Sequence, residues 1–414
     1  MKIAIAGYGL EGEQNYQYFN TPDNDVVIVD EKDTPTRPLP VDAMTILGEG
    51  AFEKLNGFDM VVRTAGLAPH KIKTDGRIWS ATNEFFSSCP VPIIGVTGTK
   101  GKGTTSSLIA SILEAAGKTV HLVGNIGVPA LTELPNIQQD DIVVFELSSF
   151  QLWDLERSPH VAVVLGIEPD HLDVHRDMQD YVAAKANITT HQSATDLLVF
   201  NQNNDIASGI AETSEAQRVP YPMNMTDFAD ALVIPGAHNV ENASAAIAAV
   251  SEYVTDLEII RKGLASFTGL PHRIKFVREV NGVKFYDDSY SSAPTASLAA
   301  LKSFEGVRVI LLGGFEKGAD FTELASYIAA NQSVKVVVYG AIKNRIVANL
   351  REQSVEDSRI RLFETTNFED IVKAAADWSA PNGVVLLSPG CASFDMFRNF
   401  TDRGEQFIQI VESL

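Results

Sequence analysis

The sequence predicts an α/β fold made of three successive blocks of strands and helices, each built around a mostly parallel sheet. Short apolar runs recur along the chain with helix-like stretches between them, which is the pattern of parallel βα units. A length of 414 residues is more than one hydrophobic core usually serves, so two or three domains are expected. The pattern breaks near residues 89 and 270, and we therefore expect domains at 1–89, 90–269 and 270–414.

Apolar runs predict the strands of the first two blocks. The segment 87–92 has two prolines with one residue between them, which favours an extended linker. A stretch rich in Pro, Asp and Thr at 33–40 predicts a loop. The predicted strands are Ile3–Ala6, Val26–Val29, Met60–Val62, Ile93–Val96, Ile142–Leu147 and Val161–Ile167.

Helical patterns connect these strands and close the chain. The helix predicted over Thr105–Ala116 ends at Gly117, because glycine readily adopts the left-handed conformation that follows many helices. An alanine-rich helix is predicted from Asn239 to Tyr253, and an amphipathic last helix, Arg403–Leu414, is expected to pack on the third sheet. The third block has predicted strands at Val307–Leu312, Val336–Tyr339 and Val384–Leu387.

Composition excludes several classes of protein. The net charge is −20 without a dense Lys/Arg block, so binding to nucleic acid or to an anionic membrane is not expected. No apolar run reaches the roughly 18–20 residues that span a bilayer, and the start lacks the features of a signal peptide. The two cysteines, Cys89 and Cys391, cannot form a disulfide framework or a cysteine-based zinc site. We expect a cytoplasmic protein.

The segment Gly98-Thr99-Lys100-Gly101-Lys102-Gly103-Thr104-Thr105 follows a predicted strand and opens a helix. In this setting glycines let backbone N–H groups converge on phosphate oxygens at the helix N-terminus. Lys102 would reach the terminal phosphates of ATP, and Thr104 or Thr105 would offer a hydroxyl to Mg²⁺. The glycine spacing differs from the standard phosphate loop, so a structural turn with a surface lysine is the alternative.

Polar residues also follow two further predicted strands. Glu146 ends the strand after Ile142–Phe145, where a carboxylate can hold Mg²⁺. His171, in the segment 168–173, follows the next strand and could be a metal ligand, a hydrogen-bonding loop residue or an exposed side chain. Lys185 lies in a helical stretch, and from the residues alone the better interpretation is a solvated helix lysine.

A glycine turn near the N-terminus supports an alternative function. Gly7-Tyr8-Gly9-Leu10-Glu11-Gly12 follows the first strand, and Asp30 ends the second strand eighteen residues after Gly12. This is formally the fingerprint of a dinucleotide-binding domain, which would suit an NAD-dependent oxidoreductase. The pattern is weak by itself, because any nucleotide-type ligand can use such a turn.

Polar segments of the third block follow its apolar strands and are ambiguous when taken singly. They are Arg273, Asp287-Asp288-Ser289, the segment 313–317 with Lys317 after a Gly-Gly turn, and the segment 388–394. Lys317 is a candidate anion-binding residue. Each segment could equally serve function or local loop structure.

Taken together, these segments resemble the Mur ligase family, and within it the glutamate-adding branch. The resemblance runs nearly end to end, and its motifs occur in the right order. They are GVTGTKGKGTTSSLI (95–109), GNIGVPAL (124–131), ELSSFQL (146–152), EPDHLDVH (168–175), TGLPHR (268–273), GGFEKGADF (313–321) and SPGCASFDMFRNF (388–400).

The resemblance implies a role for each domain. It implies a Rossmann-like first domain that binds the UDP part of the substrate, a central P-loop-type ATPase domain and a Rossmann-like C-terminal domain that binds the amino acid. The catalytic residues implied are Lys102, Glu146, His171 and Lys185, with Thr104, Glu146, His171 and a carbamylated Lys185 on Mg²⁺. The UDP-substrate contacts implied are Leu10, Glu11, Thr64, Ala65, Gly66, Asn125 and His171.

The remaining implied contacts complete the reaction. Besides the phosphate loop, Asn242 would contact adenine, Arg273 and Asp288 would complete the ATP site, and Lys317, Ser393 and Phe400 would bind the incoming glutamate. The substrates implied are UDP-N-acetylmuramoyl-L-alanine, D-glutamate and ATP, which react through an acyl-phosphate in peptidoglycan precursor synthesis. We expect a monomer that binds neither nucleic acid nor membrane.

One segment departs from the family pattern. Close relatives usually carry Asp-Ser-Lys-Ala-Thr-Asn where this chain has Asp288-Ser289-Tyr290-Ser291-Ser292-Ala293, so Tyr290 replaces a cation. This leaves another amino acid, or another acceptor as in a folylpolyglutamate-type ligase, as an alternative. A non-catalytic nucleotide-binding regulator is a further alternative.

Overall fold

The computed structural model describes residues 1–125, 127–228, 230–315, 318–379 and 381–414. The chain divides into two compact units. The first comprises Met1–Ala231 with Val240–Leu264, and the second comprises Leu232–Asn239 with Ala265–Leu414. The first unit contains two β-sheets and the second unit one, so the predicted α/β class is confirmed. The boundaries at residues 89 and 269 remain a prediction.

The first sheet has five parallel strands in the order β3-β2-β1-β4-β5. Its inner strands are buried and almost wholly apolar, as strands covered on both faces must be. The strands are β1 Lys2–Ala6, β2 Asp25–Asp30, β3 Met44–Leu47, β4 Met60–Arg63 and β5 Arg77–Ser80, and the helices are α1 Leu10–Phe19 and α2 Ala81–Ser88.

The second sheet has six parallel strands in the order β11-β10-β9-β6-β8-β7. The strands are β6 Ile93–Thr97, β7 Val120–Gly124, β8 Ile142–Glu146, β9 Val161–Val164, β10 Leu197–Asn201 and β11 Gln217–Tyr221. The helices are α3 Lys102–Ala115, α4 Ala130–Glu133, α5 Ser149–Leu152, α6 Met178–Ala186, α7 Asp205–Thr213, α8 Ala237–Ala249 and α9 Leu257–Ser266.

The strand order of the second sheet brings three loops to one edge. Strand β6 lies between β8 and β9, and parallel strands end at the same edge of a sheet. The phosphate loop follows β6, Glu146 ends β8, and the segment 165–175 follows β9. The first and second sheets also share one continuous hydrophobic core, in which Phe85 packs on Phe145 with ring centroids 5.4 Å apart.

The third sheet has six strands in the order β12-β13-β17-β14-β15-β16, and only β12 runs antiparallel to its neighbour. Helices α10, α11 and α12 bury apolar side chains on one face, and α13 and α14 bury theirs on the other. The strands are β12 Lys275–Val280, β13 Val283–Asp287, β14 Arg308–Gly313, β15 Val334–Tyr339, β16 Ile360–Leu362 and β17 Val384–Leu387. The helices are α10 Pro294–Lys302, α11 Thr322–Ala330, α12 Lys343–Glu352, α13 Phe368–Ser379 and α14 Phe400–Ser413.

Most predicted elements lie where the sequence indicates, with shifted ends. The predicted strand Val161–Ile167 ends at Val164, because the chain then turns across the phosphate loop and the Gly166 carbonyl accepts from the Thr99 N–H at 2.9 Å. The last helix begins at Phe400 rather than Arg403, because the Asn399 side chain caps it. Among the described helices, none combines the length and the apolar character needed to cross a bilayer.

Candidate active site

The phosphate loop connects β6 to α3 through two glycines in the left-handed region. Gly98 has φ +152° and Gly101 has φ +86°. A Cβ atom on Gly98 would lie 2.6 Å from Leu165 Cβ, and one on Gly101 would lie 2.4 Å from the side-chain oxygen of Asn242. Glycine is therefore needed at both positions. Within the described chain no side chain caps the start of α3, which is the arrangement that leaves helix N–H groups available for an anion.

Two lysines converge on this loop. The Lys102 ammonium donates to the carbonyl oxygens of Gly98 and Thr99, both at 3.1 Å. The Lys185 side chain donates to the same Gly98 oxygen at 2.8 Å and to the Thr97 hydroxyl at 3.4 Å. Lys185 is only 1% exposed on the buried face of α6, so the interpretation as a solvated helix lysine is wrong.

The environment of Lys185 opposes a positive charge there. Burial first, and the charge of Lys102 second, lower the pKa of Lys185 from 10.5 to about 7. Near neutral pH a large fraction of this side chain is therefore an uncharged amine. The amine is the nucleophilic form of lysine, and an ordinary exposed lysine holds almost none of it at this pH.

The hydroxyls of the loop have different surroundings. Thr105 is fully buried, and its hydroxyl lies 3.4 Å from the Asn242 side-chain oxygen. Thr104 is half-buried in the first turn of α3. Of the two hydroxyls proposed for a metal, that of Thr104 is the more accessible. The contact of Asn242 with Thr105 places that residue beside the phosphate loop, while its predicted contact with adenine remains a prediction.

Glu146 and Asn125 are neighbours at the end of β8. Glu146 is 5% exposed, and its backbone oxygen accepts from the Asn125 N–H at 3.2 Å. A carboxylate here is one strand away from the phosphate loop, because β8 pairs directly with β6. The pairing brings together a predicted metal ligand, a predicted substrate contact and the phosphate loop.

This edge offers a metal ion few protein ligands. In the described residues, no cluster of three or more His, Cys, Asp and Glu side chains is arranged to hold a metal. Mg²⁺ at phosphate sites typically takes one or two protein oxygens and completes its shell with phosphates and water. Glu146 and Thr104 fit that requirement, whereas Lys185 fits it only as a carbamate, since an amine beside Lys102 is a poor ligand for a cation.

His171 lies at the rim of a buried aromatic and histidine cluster. Its side chain is 49% exposed, it has φ +53°, and its ring packs on Phe150 with centroids 4.9 Å apart. Beneath it His175 is buried, with Nδ1 3.0 Å from Asp180 and Nε2 2.9 Å from the Ser149 hydroxyl. Burial lowers the pKa of His175 despite the adjacent Asp180. This support was not predicted from the sequence, although His175 and Ser149 lie in the noted motifs 168–175 and 146–152.

Two turns of the first sheet lie against each other. The Glu11 carboxylate accepts from the Ala65 N–H at 2.8 Å, and withdrawal from water raises the pKa of Glu11. A Cβ atom on Gly7 would lie 2.5 Å from the Thr64 hydroxyl. The structure thus brings together three of the predicted UDP-binding residues, and Leu10, 60% exposed, lies beside Glu11. Gly66 is exposed in the same turn.

Asp30 is engaged within its own unit. One carboxylate oxygen accepts from the Tyr8 N–H at 2.7 Å and the other from the Lys32 N–H at 2.9 Å. In dinucleotide-binding domains the equivalent acidic residue holds the ribose hydroxyls. The contacts of Asp30 with backbone N–H groups indicate that this carboxylate organises the glycine turn.

In the second unit, Asp288 follows β13 and is almost completely buried. Burial raises the pKa of Asp288 to about 7, although hydrogen bonds from Ser291, Ser388 and the Ile274 N–H oppose this. The Ser388 hydroxyl donates to it at 2.6 Å. Ser393 is also buried, at 2% exposure. Lys317 lies outside the described residues.

Arg273, Tyr290 and Phe400 form an exposed stack in the same unit. The Arg273 guanidinium lies 3.8 Å from the centre of the Tyr290 ring. The Tyr290 ring meets Phe400 edge-on with centroids 5.1 Å apart. The residue that departs from the family pattern therefore contacts both a predicted ATP ligand and a predicted amino-acid ligand.

Comparison with known proteins identifies the family. Residues 96–227 match the Mur ligase middle domain, and residues 272–391 match the Mur ligase glutamate ligase domain. A relative from Acetivibrio thermocellus, named UDP-N-acetylmuramoylalanine--D-glutamate ligase, is 39% identical over 100% of this chain and 96% of its own. The chain belongs to the Mur ligase family. The predicted resemblance is confirmed.

Further relatives agree with this assignment. A Clostridium perfringens protein with the same name is 36% identical to this Mur ligase over 89% of this chain and 86% of its own. The crystal structure of MurF from Acinetobacter baumannii has the same fold, with a TM-score of 0.62, 20% identity and coverage of 86% and 85% of the two chains. The middle-domain match includes Lys102, Glu146, His171 and Lys185, while Ser393, Phe400 and the predicted UDP-binding residues of the first sheet lie outside both matches.

Proposed function

We propose that this Mur ligase is an ATP-dependent, ADP-forming enzyme that joins D-glutamate to UDP-N-acetylmuramoyl-L-alanine in the cytoplasm, for peptidoglycan precursor synthesis. The observation that carries the proposal is the sheet edge where Lys102 and Lys185 converge on the phosphate loop beside Glu146. The names of the relatives that cover the whole chain support the choice of substrates. We propose that the enzyme acts as a monomer.

The phosphate loop is proposed to hold ATP. Backbone N–H groups of residues 98–105 and the Lys102 ammonium would bind the phosphates, which is how a helix N-terminus and a lysine commonly bind them. Glu146, Thr104, His171 and carbamylated Lys185 would hold Mg²⁺, which supplies charge neutralisation between two approaching anions. Asn242, with Arg273 and Asp288 of the second unit, would contribute further contacts with ATP.

The acceptor is proposed to bind at the turns of the first sheet. Leu10, Glu11 and the turn Thr64-Ala65-Gly66 would bind the UDP part, and Asn125 with His171 would contact the sugar part. The substrate carboxylate would attack the γ-phosphate and release ADP, which leaves an acyl-phosphate. Lys102 would offset the charge that develops on the transferred phosphoryl group.

The amino acid is proposed to bind in the second unit, with Ser393, Phe400 and Lys317 as its contacts. Its uncharged amine would attack the acyl-phosphate carbonyl, and a tetrahedral intermediate would then expel phosphate. Exclusion of water before this step would protect the acyl-phosphate from hydrolysis. The exposed ring of Phe400 beside Tyr290 supports this location.

The alternatives are less well supported. Asp30 holds two backbone N–H groups of its own unit, which does not favour the ribose contact that an NAD-dependent oxidoreductase needs. A folylpolyglutamate-type ligase would share the phosphate loop, and tighter binding of a folate than of the UDP-sugar would support it. A non-catalytic regulator would retain full cellular function when Lys102 is replaced by alanine.

An omission experiment tests the proposal. Phosphate release from ATP is measured with purified protein, Mg²⁺, UDP-N-acetylmuramoyl-L-alanine and D-glutamate, and then with each component left out in turn. We expect release only from the complete mixture. Equal release without the amino acid or without the UDP-sugar would contradict the proposed ligase reaction.

A further inference from the structure

Arg63 is the last residue of β4 and immediately precedes the turn 64–66, which is proposed to bind the UDP part of the substrate. Its side chain is completely buried, at 0% exposure. A buried guanidinium is costly unless several acceptors surround it. The positions of those acceptors therefore indicate what the arginine holds together.

One side of the guanidinium faces the turn. Its Nη1 lies 3.4 Å from the carbonyl oxygen of Thr64 and 3.3 Å from those of Ala65 and Leu67. The N–H group of Ala65 is bound from another direction by Glu11. The turn is thus fixed through its carbonyl groups by Arg63 and through one N–H group by Glu11.

The other side of the guanidinium faces the second sheet. Its Nε donates to the Asp154 carboxylate at 2.7 Å, and its Nη2 donates to the other oxygen of that carboxylate. The Nη2 group also donates to the Phe150 carbonyl oxygen, at 2.9 Å. Phe150 lies in α5, four residues after Glu146, and its ring packs on His171. One side chain therefore connects the first-sheet turn with the segment between two residues proposed to act at the phosphates.

We propose that Arg63 is a positioning residue that sets where the UDP-sugar lies relative to the phosphate loop. This inference rests on the proposed function, because it needs the turn 64–66 to bind the acceptor. The planar fork of arginine suits this role, since it spans five acceptor groups that a lysine ammonium cannot reach together. Displacement of the turn would misplace the acceptor carboxylate from the γ-phosphate without altering the ATP contacts.

The chain offers a matched control for this arginine. Arg77 and Glu156 form a second ion pair between the same two sheets, and both side chains are about half exposed. Arg77 also stacks on Trp79, 3.7 Å from the ring centre, and within the described chain its guanidinium bonds to Glu156 rather than to residues 64–67. Arg77→Lys therefore perturbs the junction of the sheets without touching the turn.

The test compares Arg63→Lys, Asp154→Asn and Arg77→Lys with the wild type. Calorimetric titration gives the Kd for UDP-N-acetylmuramoyl-L-alanine and for ADP, and product formation at saturating substrates gives kcat. For Arg63→Lys we expect the Kd for the UDP-sugar to rise by about 10-fold. Asp154→Asn keeps the contacts of Arg63 with the carbonyl groups of the turn, so we expect a smaller change in the Kd for the UDP-sugar. We expect its kcat to fall by about 100-fold, which is the effect of misplacing a reacting group by about 1 Å.

The ADP affinity separates positioning from general stability. We expect the Kd for ADP to stay within about twofold of the wild-type value in all three variants, because the two sites share no contacts. Arg77→Lys should match the wild type in both Kd values and in kcat. An equal loss of affinity for ADP and UDP-sugar, or variants that match Arg77→Lys, would overturn the inference. Wild-type protein that binds the UDP-sugar but forms no amide would instead overturn the proposed function alone, and wild-type protein that does not bind it would overturn both.

Discussion

Replacement of Lys185 by methionine is expected to change the pH dependence of stability in a defined direction. The pKa of Lys185 falls from 10.5 to about 7, first through burial and second through the charge of Lys102. The unfolded chain therefore binds more protons than the folded protein between pH 7 and 10.5. Because stability rises with pH wherever the unfolded state binds more protons, the wild type is penalised fully below pH 7 and not above 10.5.

The size of the effect follows from the two pKa values. The difference, 10.5 − 7, corresponds to a penalty of about 5 kcal/mol at low pH, at 1.36 kcal/mol per pKa unit. By linkage, the penalty is still about 5 kcal/mol at pH 6 and falls to about 1 kcal/mol at pH 10. Lys185→Met removes the titrating group. The hydrogen bonds that Lys185 donates to Gly98 and Thr97 are also lost, but that loss enters at every pH and cancels when two pH values are compared.

Urea unfolding of the two proteins in CO₂-depleted buffers measures this effect. The free energy of unfolding of Lys185→Met minus that of the wild type should fall by about 4 kcal/mol between pH 6 and pH 10. Lys118, an exposed residue in the turn after α3, supplies the control, and Lys118→Met should show no such trend. A difference for Lys185→Met that stays constant to within about 1 kcal/mol would refute the burial of a titrating amine at this site.

Three further substitutions test residues in other parts of the chain. Lys102→Met should lower ADP formation by about 100-fold or more with an unchanged circular dichroism spectrum, because the ammonium that stabilises the transferred phosphoryl group is lost. An unaltered rate would exclude Lys102 from the chemistry. Tyr290→Lys removes the stack on Arg273, worth about 1 kcal/mol at an exposed site, so the KM for ATP in initial-rate assays should rise about fivefold, and an unchanged KM would contradict this. Burial would lower the pKa of His121, but Asp141 and Glu133 outweigh burial and raise that pKa above its usual value of 6.5. Thermal melts should therefore show that wild-type stability falls as the pH rises past 6.5. His121→Asn should lack this trend.

The phosphate loop was predictable because its information is local. A buried apolar strand, glycines at 98 and 101 and a helical pattern after them are adjacent in sequence, and each has a direct backbone consequence. The same holds for Glu146 at the end of β8. Glu146 lies near the phosphate loop because the strands of this sheet are parallel, and the repeated βα pattern predicts parallel strands.

Other features depend on distant residues and were not predictable from local pattern. The burial of Lys185 is set by β6 and the phosphate loop, far earlier in the chain, and Arg63 meets Asp154 across 91 residues. Eight of the described strands were not predicted: β3, β5, β7, β10, β11, β12, β13 and β16. Among them, β3 and β12 are partly exposed and lack a continuous apolar run. Tyr290 was noted only as a missing lysine, whereas its stack on Arg273 arises from the tertiary structure.

This Mur ligase is proposed to form an amide between glutamate and a UDP-sugar carboxylate. Mass spectrometry of reactions with UDP-N-acetylmuramoyl-L-alanine, ATP, Mg²⁺ and a panel of amino acids, with D- and L-glutamate side by side, tests it most directly. We expect one product, the glutamyl conjugate formed from D-glutamate, together with ADP. A conjugate formed from another amino acid, and none from D-glutamate, would contradict it.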